Sequence, residues 1–196
     1  MSRGRILPRL QPPRWADADA VLCEPLIGDD PRWNAAVWLP YVAYGVDQGD
    51  TFGFFDPAAD LAVMRSAARS GLVGLDYDLS LLDYDTFRVI EVHGHEYASE
   101  VVLDPAFMRQ LEQRLQTGML AVGIPCRGHA YVTAGMQDED ALRRFVDLVA
   151  AQHASAKQPL FGLPVLVQGG DAVGILRLAD EDESGGEALL LSPESD

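Results

Sequence analysis

The segment EVHGHEY, residues 91 to 97, places two of the four histidines of this chain two positions apart. On one continuous strand, the side chains of His93 and His95 would share a face about 7 Å apart, a distance that a metal ion can bridge. Glycine is unfavourable inside a strand, however, and Gly94 favours a tight turn because glycine adopts positive φ readily. We therefore expect either a hairpin turn that sets Glu91 opposite Glu96 or a slightly longer loop, with both histidines at its exposed tip.

A metal centre at these two histidines is the weaker interpretation. A catalytic metal ion generally needs three protein ligands and an enclosed pocket, and no third ligand is identifiable near His93 and His95 in the sequence. The glycine-rich segments GLVGLDYD and QGGDAVG also lack the spacing of phosphate-binding loops. We predict no metal and no cofactor, and His93 and His95 are the only weak candidates for metal ligands.

A second pair of potentially reactive side chains, Cys126 and His129, flanks a predicted turn at Arg127-Gly128. A cysteine nucleophile needs a lowered thiol pKa, which a neighbouring arginine can provide. A buried or surface cysteine without a catalytic role is the commoner arrangement. The alternative hypothesis is a hydrolase that uses either Cys126 with His129 or a metal ion at His93 and His95. Because the commoner arrangement is preferred, no catalytic residue is assigned.

The segment DYDLSLLDYD, residues 76 to 85, has the most unusual local composition, with four Asp and two Tyr in ten residues. It lacks the glycine and the terminal glutamate of a calcium-binding EF-hand loop. The pattern predicts a strand that passes into an exposed acidic loop suited to a protein partner, because Tyr gives a large contact area and Asp pairs with Lys or Arg. The alternative is an ordinary polar loop whose tyrosines fold inward. The candidate partner-binding residues are Asp76, Tyr77, Asp78, Asp83, Tyr84 and Asp85.

Composition narrows the class of partner. The net charge of −15 argues against nucleic acid and against anionic membranes, since binding to phosphates relies on Lys and Arg. The apolar runs are too short to cross a membrane, and the N-terminal segment has no apolar stretch of the kind that directs export. Cys23 and Cys126 lie far apart and outside any CxxC motif, which argues against a disulfide framework. We therefore expect a cytoplasmic protein whose acidic surface suits a basic protein partner.

Periodicity predicts an α+β fold, with a largely antiparallel sheet built from hairpins and about three helices packed on it. Three hairpins are expected, from residues 37–46 with 51–55, from 119–125 with 129–135, and from 163–168 with 172–179. Helices are expected to begin after Asp56, Asp104 and Asp138, since aspartate caps helix N-termini and proline follows the first two. Gly71 and Gly118 are expected to end the first two helices.

Three regions follow from this pattern. Residues 1–36 are rich in Arg and Pro and predict a partly ordered N-terminal arm. Residues 37–180 predict a single α+β domain. Residues 181–196 predict an acidic tail in which EALLLS, residues 187 to 192, supplies a possible edge strand.

Several short segments between residues 38 and 178 carry a family resemblance. Gly94 with Tyr97-Ala98-Ser99, and Pro125-x-Arg127 after an apolar strand, occur in the order and spacing of the YtpQ-like family of bacterial proteins, a domain of unknown function, which the chain resembles. The resemblance implies no activity, cofactor or catalytic residue. Where that family usually has Asp after the arginine, this chain has Gly128, and we expect Arg127 to be solvated at a hairpin tip.

Two functions of different classes remain open. The preferred hypothesis is a non-catalytic protein-binding module, immunity-like or chaperone-like, in which an acidic surface engages a basic protein. The alternative is the metal-dependent or cysteine hydrolase described above. A missing catalytic constellation and a strong negative charge are the two observations that favour binding.

Overall fold

A computed structural model describes residues 4–28, 39–84 and 87–178, together with the backbone of residues 190–191. The chain divides into two compact units, residues 1–76 and 77–196. Each unit has its own antiparallel sheet, so the predicted α+β class is confirmed. Among the described helices, none is both long and apolar enough to cross a membrane.

The first unit contains a four-stranded sheet organised around β3. The strands are β1 (Arg5–Gln11), β2 (Cys23–Pro25), β3 (Tyr41–Asp47) and β4 (Phe52–Phe54). Each of the other three strands pairs antiparallel with β3. The β3–β4 pair confirms the first predicted hairpin, although residues 37 and 38 lie outside the described part of the chain. Strands β1 and β2 belong to the stretch predicted as an N-terminal arm, and all seven residues of β1 are in register with β3.

Helix α1 (Leu61–Leu72) begins later than the sequence predicts. Its N-cap is Asp60, whose side chain accepts a hydrogen bond from the backbone of Val63, at 3.1 Å. Asp56 instead accepts from the backbone of Ala58 in a preceding turn. The prediction that Gly71 ends the helix is wrong too, because the helix continues through Leu72.

One partly buried carboxylate ties α1 to two strands of the first unit. Glu24 on β2 accepts hydrogen bonds from the hydroxyl of Tyr44 on β3 and from Nε of Arg65 on α1, the latter at 2.7 Å. Burial and the neighbouring Glu24 raise the pKa of Tyr44, so its hydroxyl stays protonated and acts as a donor. The three polar groups thus satisfy one another and fix the position of the helix on the sheet.

The second unit contains a seven-stranded antiparallel sheet. The strands are β5 (Asp78–Tyr84), β6 (Phe87–His93), β7 (Leu120–Cys126), β8 (His129–Ala134), β9 (Val165–Gln168), β10 (Asp171–Leu176) and β11 (Leu190–Leu191). Their spatial order is β11, β10, β9, β7, β8, β6 and β5. The β7–β8 and β9–β10 hairpins were both predicted and are confirmed. Strand β11 pairs with β10, so part of the predicted C-terminal edge strand is also present.

Two α-helices of this unit begin where the sequence predicts. Helix α2 (Pro105–Leu115) is capped by Asp104 and helix α3 (Glu139–Ser155) by Asp138, each through its side-chain carboxylate. Phe145 and Val149 of α3 belong to the buried core cluster of the sheet. A side chain at Gly123 on β7 would lie 2.3 Å from a methyl carbon of Val149, so the glycine allows α3 to approach the sheet closely.

The segment YASEVVL, residues 97 to 103, differs from its prediction. A hairpin at Gly94 would need a second strand here, but residues Ala98–Leu103 form a 3-10 helix that is almost entirely buried. Val101 and Val102 have β-branched side chains that favour strands in isolation. Here they are buried as part of the core, so tertiary packing overrides the local preference.

Candidate functional site

The acidic segment DYDLSLLDYD forms a strand, which corrects the prediction of a loop. Residues Asp78–Tyr84 make up β5 and pair antiparallel with all seven residues of β6. Pairing with β6 holds this segment in the sheet, although none of its seven residues is fully buried and aspartates lie at both ends. Strand β5 lies at one edge of the sheet, so within the described residues β6 is the only strand that pairs with it.

This edge strand presents apolar side chains to solvent. The exposed fractions are 38% for Leu79, 54% for Leu81 and 38% for Tyr84. Leu82, in contrast, packs against the core cluster beneath the sheet. Leu79 and Leu81 lie two residues apart and therefore project from the same face of the strand.

The five predicted partner-binding residues that the structure describes do not form one surface. Asp76, Asp78, Asp83 and Tyr84 are exposed, and Asp83 lies 3.7 Å from Arg88 across the β5–β6 pair. Tyr77 is folded inward, with its ring edge against Phe107 at a centroid distance of 5.5 Å. Asp85 lies outside the described residues. Sequence reasoning missed Leu79 and Leu81, although the alternation of leucine with polar residues is a strand signal.

The two histidines of the opening motif are separated by a turn, as predicted, but both are half-buried, so the prediction of an exposed tip is wrong. Gly94 has a φ of 83°, which glycine adopts without strain. His93, at the end of β6, has its Nε2 atom 2.8 Å from the hydroxyl of Ser80. His95 accepts a hydrogen bond from the backbone of Tyr97 at 3.2 Å. The imidazoles thus have different partners.

The predicted pairing of Glu91 with Glu96 is wrong, because the element that directly follows the Gly94 turn is a 3-10 helix and not a strand. Glu91 lies opposite Ser80 on β5 and opposite Tyr131 on β8. In the part of the chain that the structure describes, no group of three or more His, Cys, Asp or Glu side chains is arranged to hold a metal ion.

Glu91 is instead the centre of a polar cluster on the two neighbouring strands β6 and β8. It lies 3.1 Å from Nδ1 of His129 and accepts a hydrogen bond from the hydroxyl of Tyr131 at 3.2 Å. Burial and Glu91 raise the pKa of Tyr131, which keeps the phenol protonated. The ring of His93 stacks beside that of His129 at a centroid distance of 6.4 Å.

The strand register brings Cys126 opposite His129, so the residues of the predicted dyad are neighbours. The electrostatics oppose thiolate formation, however. Burial, followed by the negative charge of Glu91, raises the pKa of the Cys126 thiol. A catalytic cysteine has a lowered pKa, so the surroundings of Cys126 act in the opposite direction.

We expect the Glu91→Gln substitution to make Cys126 more reactive towards iodoacetamide, since removal of the negative charge lowers the thiol pKa. Peptide mass spectrometry at pH 8 would compare the alkylation rates of the variant and the native chain. Cys23 is an internal control, because the causes that raise its pKa are burial, Asp19 and Glu24, and Glu91 is not among them. Its rate should not change. An unchanged rate at Cys126 would contradict the role assigned to Glu91.

A buried ion pair lies at the β7–β8 turn. Arg127 donates to Glu100 at 3.3 Å, and the hydroxyl of Ser99 donates to the other carboxylate oxygen at 2.6 Å. Glu100 is fully buried, and the Arg127 side chain is 15% exposed. The prediction of a solvated Arg127 is therefore wrong. The backbone of Gly128 completes the group by donating to the Ser99 hydroxyl at 3.3 Å.

The ion pair unites segments that are distant in sequence. The Tyr97-Ala98-Ser99 and Pro125-x-Arg127 segments meet through Glu100, which sequence reasoning missed. The 3-10 helix carries Ser99 and Glu100, whereas the β7–β8 turn carries Arg127 and Gly128. A signal was available, since glutamate in an otherwise apolar stretch needs a partner when it is buried. The partner itself could not be chosen without the fold.

No protein-family model matches the chain, and neither a curated protein nor a solved structure was found to match it.

Proposed function

We propose that this chain is a protein-binding module that accepts an extended, basic segment of a partner protein as an additional strand beside β5. The observation that supports this proposal is the exposure of Leu79 and Leu81 on a strand that has a single neighbour among the described residues. An edge strand offers backbone donors and acceptors to an incoming strand, and its side chains add specificity.

Strand β5 lacks two common forms of edge protection. Lysine or proline on an edge strand discourages pairing with another chain, and β5 contains neither. Its sheet register with β6 is also continuous over seven residues, without a bulge. A regular strand of this length is long enough to pair with a peptide of comparable length.

The charge of the strand favours a basic occupant over a second copy of the chain. Asp76, Asp78 and Asp83 are exposed at or beside β5, and the net charge of the whole chain is −15. Two copies brought edge to edge would juxtapose like charges, which is unfavourable. A segment in which Lys or Arg alternates with apolar residues would set its apolar face beside Leu79 and Leu81 and its basic face beside Asp78.

A synthetic peptide of alternating Val and Lys tests this proposal. We expect saturable binding at low salt, weakened at higher salt, with slower amide hydrogen exchange in residues 78 to 84. A peptide of alternating Val and Glu is the charge control. Absence of protection in β5 at saturating peptide would refute strand addition.

A pair of matched variants locates the interaction. Leu81→Lys should weaken binding by roughly tenfold or more, since it removes an apolar contact and adds a repulsive charge. Val63→Lys on α1 makes the same change at a side chain with the same exposed fraction, 54%. It should leave the affinity close to that of the native chain. Equal losses in both variants would show that net charge, and not β5, governs binding.

We also propose that the chain is a member of the YtpQ-like family. The contact between the Ser99-Glu100 segment and Arg127 supports this proposal, because the short sequence motifs that carry the resemblance belong to one polar group. The ion pair with Glu100 also gives Arg127 an acidic partner where the usual aspartate is replaced by Gly128.

A further inference from the structure

A cleft of about 500 Å³ lies at the C-terminal end of β5. Strands β5, β6 and β8 line it together with the C-terminal end of α2. This volume falls within the range of about 300–1,000 Å³ that is usual for small-molecule sites. The lining residues used below are Asp83, Tyr84, Phe87, Arg88, Arg114 and Gln137.

The cleft concentrates positive charge in an otherwise acidic protein. Arg88 and Arg114 both line it, whereas the chain as a whole has 15 basic and 30 acidic residues. Arg88 has Asp83 as a neighbour at 3.7 Å, with both side chains largely exposed. Within the described residues, Arg114 has no ion pair or hydrogen-bond partner for its side chain. Two guanidinium groups at one cleft suit a carboxylate or phosphate, whose oxygens accept paired hydrogen bonds.

One wall of the cleft is flat and apolar. The rings of Tyr84 and Phe87 stack at a centroid distance of 4.8 Å with planes only 9° apart. Tyr84 is 38% exposed while Phe87 is buried, so the outer ring rests on a fixed support. An exposed ring held in this manner offers a surface for stacking with a planar group.

Hydrogen bonds fix the floor of the cleft. The Thr133 hydroxyl donates to the backbone oxygen of Arg88 at 2.7 Å. The side-chain amide of Gln137 donates to Thr133 at 3.0 Å and to the backbone of Ala134 at 2.9 Å. These bonds join β6, β8 and the segment before α3, and a preformed site loses less conformational entropy on binding.

We propose that this cleft binds a small anion that carries a planar apolar group, with the anionic end at Arg88 and Arg114 and the planar end against Tyr84. Phosphate and carboxylate groups share the chemistry that the arginines recognise. A polyanion such as nucleic acid is disfavoured by the overall negative charge. The cleft shares Asp83 and Tyr84 with the end of β5, whereas Leu79 and Leu81, which carry the proposed strand addition, do not line it.

Phenyl phosphate is the probe that tests this site. In a titration followed by NMR of backbone amides at low salt, we expect saturable shifts concentrated at Tyr84, Arg88 and Arg114. Inorganic phosphate and phenol, which each supply half of the ligand, should bind at least about tenfold more weakly. Benzoate distinguishes the two anions, because tighter binding than phenyl phosphate would assign the site to carboxylates. Shifts that do not saturate, or that lie elsewhere, would overturn the proposal.

Substitutions of opposite sign separate binding from a structural effect. Arg114→Gln should weaken phenyl phosphate binding by roughly tenfold, the usual effect of losing a charged hydrogen bond. Asp83→Asn should strengthen it, since the neutral amide no longer competes for Arg88. Arg69→Gln is the matched control, because Arg69 is also the basic residue in the last turn of its helix. A loss of affinity in Arg69→Gln equal to that in Arg114→Gln would refute a specific role for the cleft.

Discussion

Replacement of Glu100 by alanine is expected to lower the free energy of unfolding of the 77–196 unit by about 3–5 kcal/mol, the usual cost of removing one partner from a buried ion pair. Glu100 is fully buried and holds both Arg127 and the hydroxyl of Ser99. Without it, a guanidinium that is only 15% exposed loses its carboxylate, and Ser99 loses an acceptor. The substitution also leaves an unfilled volume between the 3-10 helix and the β7–β8 turn.

Urea unfolding followed by far-UV circular dichroism, with amide hydrogen exchange in β7 and β8, would measure this loss. Trp15, Trp33 and Trp38 all lie in residues 1–76, so tryptophan fluorescence reports on the other unit and serves as an internal reference. Glu139→Ala is the control, because its pair with Arg143 is a half-exposed i,i+4 helical pair worth about 0.5 kcal/mol or less. A loss in Glu100→Ala no larger than this control would contradict a structural role for the buried pair.

A double-mutant cycle would isolate the ion pair from the cavity. Glu100→Gln keeps the shape of the side chain and its ability to accept from Ser99, so we expect a smaller loss than with alanine. Arg127→Met removes the charge and keeps much of the length. If the two groups interact directly, the double variant should lose less stability than the sum of the single variants.

The parts of the fold that depend on local signals were predictable. Asp104 and Asp138 cap α2 and α3 because a short side-chain acceptor meets exposed backbone donors at the start of a helix. The hairpin at Gly169-Gly170 forms because both residues adopt positive φ, at 61° and 90°. Each of these signals lies within a few residues of the structure that it specifies.

The parts that depend on tertiary contacts were not predictable in the same manner. The Asp56-Pro57 pair has the letters of a helix start, but the chain turns once more and the helix begins after Asp60. The acidic segment has the composition of a loop, but it pairs with β6 over seven residues. The start of the helix depends on which aspartate meets unpaired backbone donors, and the strand depends on pairing with β6.

The candidate sites show the same division. The turn at Gly94 and the proximity of Cys126 to His129 follow from local spacing and were predicted. The effect of Glu91 on Cys126 was not, because these residues are brought together only by the order β6, β8 and β7 in the sheet. Burial and this carboxylate together raise the pKa of the thiol that Arg127 was expected to activate. Arg127 is engaged by Glu100 instead.

The close approach of α1 to β1 gives the second large effect. A Cβ atom at Gly71 would lie 1.9 Å from the backbone oxygen of Ile6 and 3.0 Å from a methyl carbon of Leu7. The obstructing atom belongs to the backbone of a paired strand, so it cannot rotate aside as a side chain could. In the Gly71→Ala variant, the helix must therefore move away from the strand that it covers.

We expect Gly71→Ala to lower the free energy of unfolding of the 1–76 unit by about 2–4 kcal/mol, since overpacking against backbone outweighs the gain of about 1 kcal/mol in helix propensity. Tryptophan fluorescence during urea unfolding would measure the loss, because all three tryptophans lie in this unit. Gly53→Ala on β4 is the matched control, as a Cβ there has no neighbouring heavy atom within 4 Å. If the gain in helix propensity exceeded the cost of overpacking, Gly71→Ala would be more stable than the native chain. That result would mean that α1 shifts on the sheet at little cost, and that the contact with Ile6 does not fix its position.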